Sequence, residues 1–138
     1  MKKSILVAAL ALGLGTAAFA QKNEVPVAVK TAFEKQYPGI KAKWDDENGK
    51  YEAGFKYQGQ EMSAVYAATG TLEETEVEIP IKNLPAAVHS YVADHKMGKI
   101  KEAAKITKAN GTVEYEAEVK GGDAIFNADG KFIKIVKD

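Results

Sequence analysis

One feature restricts the fold of this 138-residue chain more than any other: it is written twice. Val25-Pro26-Val27-Ala28-Val29 is echoed by Leu84-Pro85-Ala86-Ala87-Val88, Tyr51-Glu52-Ala53 by Tyr115-Glu116-Ala117, and Ala64-Val65-Tyr66 by Ala124-Ile125-Phe126. Each half then turns at a glycine, Gly70 or Gly130, before a last apolar segment. An ordered match over two stretches of roughly sixty residues demands one supersecondary unit used twice. The expected repeats run from about 24 to 79 and from about 82 to 138, inside a single domain spanning 21–138.

Within a repeat the hydrophobic period changes once. Val25, Val29, Ala32, Phe33 and Tyr37 recur at helical spacing, with Pro26 tolerated in the first turn and Pro38-Gly39 as a stop. In the second half Leu84, Val88, Val92 and His95 line one helical face, Asn83 is the expected N-cap and Gly98 the expected stop. After each helix the period becomes two, as in strands with one buried face. Ile40, Ala42 and Trp44 alternate with lysines, Tyr51, Ala53, Phe55 and Tyr57 with Glu52 and Lys56, and Asn48-Gly49 is a strong hairpin signal. Further turns are expected near Gly59, Gly70, Asn110-Gly111, Gly121-Gly122 and Asp129-Gly130. The expected fold class is α+β, a tandem repeat of one helix plus a four-stranded antiparallel sheet, with the helices packed on one sheet face.

The first twenty residues read as a cleavable leader. Lys2 and Lys3 precede a short apolar run from Ile5 to Leu14, and Ala18-Phe19-Ala20 offers small residues where a signal peptidase reads, so cleavage is expected after Ala20. About ten apolar residues are too few for a bilayer core. The chain has no cysteine, which excludes lipid attachment at the leader, disulfides and thiolate metal sites. A periplasmic or secreted protein is expected, with no membrane span after cleavage.

Charge narrows the partners. Nineteen basic and nineteen acidic residues balance, and loss of Lys2 and Lys3 leaves a formal charge of −2. All the basic residues are lysine. Without arginine there is no planar fork for bidentate phosphate contacts, and nucleic acid is not an expected partner.

Catalytic groups are few. Beyond the leader there are two serines, Ser63 and Ser90, and two histidines, His89 and His95. Ser63 sits in a strand pattern and not in a nucleophile elbow. His89 and His95 fall about 120° apart around one helix, so they do not chelate a metal together. Glu73, Glu74, Glu76 and Glu78, and again Glu114, Glu116 and Glu118, alternate along strands, which spreads their carboxylates along a face instead of wrapping them round a calcium ion. A solvated sheet face, balanced by Lys41, Lys43, Lys56, Lys101 and Lys105, explains them better. No catalytic residue, metal site or cofactor is expected. Trp44, Tyr51, Phe55, Tyr57 and Tyr66 share the core parity; Trp44 and Tyr57 at strand ends also suit a partly exposed contact role. Val65 and Ile125 occupy equivalent positions on the opposite, charged face, as a docking pair or as two tolerated surface hydrophobes.

These patterns resemble the PepSY-like, beta-lactamase-inhibitor-like family of small exported proteins common in Bacteroidetes. The likeness covers about residues 24–138 and is carried by Leu84-Pro85-Ala86-Ala87-Val88 and its counterpart at Val25-Pro26, by Tyr37-Pro38-Gly39, by the Tyr-Glu-Ala strand and by Asp129-Gly130. It implies helix-plus-sheet modules whose free sheet face docks on an enzyme, as in secreted beta-lactamase inhibitors, or modules of the kind that restrain peptidases in their propeptides. This chain lacks the cysteines of those inhibitors and none of their enzyme-contacting residues has a counterpart here. The functional expectation is therefore a non-enzymatic exported binding module, an inhibitor of or docking protein for an envelope or secreted protein such as a peptidase. Its expected partner-binding residues are Lys43, Glu52, Lys56, Val65, Glu114, Glu116, Glu118 and Ile125. A periplasmic carrier of a small ligand or peptide is the alternative, and an enzyme is disfavoured by the missing nucleophiles.

Overall fold

The computed structural model of the protein describes residues 24–137. The expected leader and its cleavage site after Ala20 lie outside these residues. The fold is α+β: two α-helices, one short 3-10 turn and eight strands whose registered pairs are all antiparallel. The chain divides into two compact units, one through Glu73 and one from Glu74.

The first unit opens with α1 (Val27–Gln36). Pro26 takes the N-cap position and its carbonyl accepts from the N–H groups of Val29 and Lys30. A proline fits there because its fixed φ suits the entry and its missing N–H would be unsatisfied anyway. Val29, Phe33 and Tyr37, four apart, form the buried stripe. Gly39, at φ +73, turns the chain away, and its N–H donates to Glu34 Oε1 at 3.0 Å. Three strands follow: β1 (Lys43–Glu47), β2 (Lys50–Tyr57) and β3 (Gln60–Ala67). Two-residue turns join them, with positive φ at Asn48 and Gly49 and again at Gln58 and Gly59. Positive φ at both central residues matches the twist of a tight hairpin and sets the register. Tyr51 therefore faces Tyr66, Ala53 faces Ala64 and Phe55 faces Met62 on the helix side. Glu52 faces Val65 and Lys56 faces Glu61 on the other side.

Aromatic rings fill this core. The Phe33 ring lies 5.3 Å from Tyr37, 5.4 Å from Trp44 and 5.0 Å from Phe55, and Tyr37 is 5.3 Å from Tyr57. The Tyr66 hydroxyl donates to Gln36 Oε1 at 3.1 Å. Burial pushes the Tyr66 phenol up to about 12, with Tyr37 adding to the shift, and burial with Tyr57 nearby also raises Tyr37. A raised phenol keeps its proton in the folded protein while the unfolded chain loses it near pH 10. Stability is thus intact below pH 10 and lost as pH rises toward about 12. Titration followed at 295 nm is expected to show a late tyrosine step that Tyr66→Phe removes.

The second unit takes most of β4 (Leu72–Ile79), whose residues Glu74 to Ile79 pair with Lys108 to Ala103 of β5 (Glu102–Lys108). After Pro80 comes the 3-10 turn Ile81–Asn83, then α2 (Ala86–Asp94). Asn83 does not cap α2 as expected. Pro85 holds the N-cap position, and Leu84 before it is extended at ψ 146°, because a residue preceding proline is excluded from the helical region. Leu84, Val88 and Val92 form the buried stripe, whereas His95 is exposed. Strands β6 (Val113–Val119), β7 (Gly122–Asn127) and β8 (Phe132–Val136) complete the meander. Val88 and Val92 pack with Ala103, Ala117, Val119, Ala124 and Phe126 in one core.

The end of α2 also differs from the expectation of a stop at Gly98. Met97 N–H donates to Val92 O, Lys96 N–H donates to Ala93 O, and Lys96 itself adopts φ +52, which makes a Schellman close with a lysine where glycine is usual. Left-handed backbone costs a side-chain-bearing residue roughly 1–2 kcal/mol, and glycine's extra chain entropy returns part of that. Lys96→Gly is expected to stabilise the unit by about 0.5–1 kcal/mol, raising its Tm by a few degrees in thermal denaturation followed by circular dichroism.

Candidate docking face

Cross-strand register decides which expected contact residues share a face. In the first unit Lys43 stands opposite Gly54, Glu52 opposite both Asp45 and Val65, and Lys56 opposite Glu61. Since Tyr51, Ala53, Phe55, Ala64 and Tyr66 belong to the core, Glu52, Lys56 and Val65 point away from α1. In the second unit Glu114 stands opposite Ile106 and Asn127, Glu116 opposite Ala104 and Ile125, and Glu118 opposite Glu102 and Asp123. All of these point away from the core built on α2. Each unit thus carries a directly opposed carboxylate and branched aliphatic, Glu52 with Val65 and Glu116 with Ile125.

Solvent access departs from expectation at these pairs. Val65 is 8% exposed and Ile125 5%, so neither is a surface hydrophobe; Glu52 at 8% and Glu116 at 9% are also closed off, as are Glu76, Ala104, Ile106 and Asp123. The expectation of a wholly solvated charged face is revised accordingly. Residues in the middle of a ladder are flanked on both sides, and side chains directly opposed across strands sit close enough to cover one another. Lys43 and Lys56 remain exposed and Glu114 and Glu118 half-buried.

The balancing lysines differ as well. Lys105 stands opposite Val77 and Tyr115, on the core side of its strand and not on the glutamate face. Lys50 pairs with Glu73 at 2.6 Å and Lys108 with Glu114 at 3.3 Å. The hairpin at Asn110-Gly111 brings the second pair together from adjoining strands, which strand alternation alone does not reveal.

Other polar groups have local roles. Ser63 is buried at mid-strand opposite Gly54 and its hydroxyl has no hydrogen-bond partner among the described residues, whereas Ser90 Oγ donates to Ala86 O in its own helix. The His95 ring stacks on Tyr91 at 3.8 Å, and its Nδ1 lies 2.9 Å from Tyr91 O at the helix end. His89 is half-buried and, with Ile81, Val92, Lys99 and Ile100, lines a concavity of about 370 Å³ in the second unit. Among the described residues no group of three or more His, Asp or Glu side chains is placed to hold a metal ion. No described helix is long and apolar enough to cross a membrane.

Helices over antiparallel meanders make this an α+β protein, and its fold recurs in solved structures of Bacteroides proteins. Three solved structures share it. The "putative periplasmic" protein of Bacteroides eggerthii DSM 20697 aligns with a TM-score of 0.71 at 16% identity, covering 82% of this chain and 88% of its own. A DUF2874 family protein of Bacteroides uniformis ATCC 8492 gives 0.68 at 17% identity, over 81% and 88%. A BLIP-like protein of Bacteroides fragilis NCTC 9343 gives 0.61 at 24% identity, over 80% and 84%. No protein-family model matches the chain and no curated protein is similar to it.

Proposed function

We propose that the protein is a non-catalytic binding module, exported to the periplasm or beyond, that docks on a protein of the cell envelope or medium. The carrying observation is the sheet: in each unit one face is closed by a helix, and the other bears charges at alternate positions, with Lys43 and Lys56 open to solvent and Glu114 and Glu118 half open. Under this reading the chain arose by tandem duplication of the 24–79 and 82–138 repeats, and its docking surface is the rim of that face. Glu52, Val65, Glu116 and Ile125 form the stiff floor beneath the rim. The leader pattern and the likeness to proteins described as periplasmic and BLIP-like support export and a binding role. An inhibitory or restraining action on a secreted enzyme such as a peptidase agrees with both the fold and the PepSY-like sequence pattern. Nucleic acid is not its partner.

The decisive experiment is capture of a defined envelope protein by the wild-type chain and by the double variant Lys43→Glu, Lys56→Gln. Rim charges mainly steer association, so a loss of about tenfold in affinity, with Tm unchanged within a degree or two, is the expected result. Equal capture by both forms refutes the docking surface. A small molecule retained in native mass spectra, released when Val92 or Ile100 is enlarged, favours the carrier reading through the concavity of the second unit.

A further inference from the structure

The last strand has one side unused. Among the described residues β8 pairs only with β7, from Asp123↔Val136 to Phe126↔Phe132, with a β-bulge at Ile133 that puts Lys131 and Lys134 at alternate ladder positions, and its other edge presents backbone N–H and C=O groups. Such an edge is a template for another extended chain, and proteins commonly guard it with lysine. Here Lys131, Lys134 and Lys137 are all exposed, and no acidic residue falls between Lys131 and Lys137. Between the first two lysines stands Ile133, 47% exposed and one of the two large hydrophobics open to solvent among the described residues. The inner side chains Phe132 and Ile135 pack against the core, which holds the strand in place.

These lysines do more than guard. Pairing β8 with β8 of a second copy would set like charges along the same short ladder, where directly opposed like charges destabilise. An extended segment with carboxylates at alternate positions meets the opposite field, and an apolar residue in it covers Ile133. We propose that the outer edge of β8 is a strand-addition site for an acidic extended segment of a partner protein. Main-chain hydrogen bonds supply affinity and the alternating carboxylates specificity. The edge adjoins the docking face of the second unit at Lys134, which stands opposite Ile125, but it lies apart from Lys43 and Lys56, and it rests on the binding role proposed above only in requiring a protein partner.

A fluorescent hexapeptide alternating glutamate and valine is the probe, read by anisotropy against the purified protein. Saturable binding is expected, with amide-exchange protection appearing in Phe132–Val136. Lys134→Glu should weaken it about tenfold or more without lowering Tm. The same peptide N-methylated at alternate residues keeps its charge and loses its strand edge, so it should not bind. Equal binding of the N-methylated peptide, or of a lysine–valine counterpart, overturns the proposal, as does no binding at millimolar concentration. A dimer in sedimentation that Ile133→Asp dissolves would also overturn it, by making a second copy the occupant. The variant Lys43→Glu, Lys56→Gln should bind the peptide normally, which keeps failure of the rim distinct from failure of the edge.

Discussion

Phe33→Ala is expected to destabilise the first unit by about 3–5 kcal/mol, the usual cost of deleting a large buried ring. Phe33 is the hub of its core: Tyr37, Trp44 and Phe55 lie within 5.4 Å of its ring centroid, two of them edge-on. Removing it leaves a void bounded by rings on helix and sheet, which cannot close without moving the backbone of both. Edge-to-face contacts worth about 0.5–1.5 kcal/mol each are lost as well. Trp44 is the only tryptophan in the chain and lies against Phe33, so its fluorescence reports this unit. Urea unfolding followed by that signal should shift strongly for Phe33→Ala. Val27, 80% exposed on the same helix, is the control, and Val27→Ala should stay within about 0.5 kcal/mol of wild type.

Gly70→Ala is expected to cost about 2–5 kcal/mol, from two independent sources. At φ +86 a side-chain-bearing residue is penalised by roughly 1–2 kcal/mol. An added Cβ would also stand 2.6 Å from the carbonyl oxygen of Ala28, in the first turn of α1, which forces backbone apart at a further 1–3 kcal/mol. Gly111 separates the two terms. It has φ +86 and closes the same kind of turn, with Lys108 N–H donating to Thr112 O and Gly111 N–H donating to Lys108 O, yet nothing lies within 4 Å of its added Cβ. Gly111→Ala should therefore show only the conformational cost, about 1–2 kcal/mol. If the two substitutions cost the same, the tuck of the β3–β4 turn under α1 contributes nothing.

Much of this architecture is legible residue by residue. Asn48-Gly49 and the glycines at 59, 70, 111 and 130 mark the turns because positive φ is a local demand that few residues meet. Four-residue spacing of Val29, Phe33 and Tyr37, and of Leu84, Val88 and Val92, marks the helix stripes for a similar reason: both are periods of the backbone itself. Strand alternation likewise assigned Glu52, Val65, Glu116 and Ile125 to the faces opposite the helices.

What alternation reports is direction, and direction is not exposure. By itself the sequence determined the order of helix and strands, the turn positions and the parity of β2, β3, β6 and β7. Only the tertiary structure decided that Val65, Ile125, Glu52 and Glu116 are closed to solvent, that Lys96 and not Gly98 takes the first left-handed step after α2, and that Ile133 stands open on a lysine-flanked edge. Parity follows from two bonds of one chain, whereas burial depends on side chains delivered from neighbouring strands and remote segments, whose placement no local period encodes.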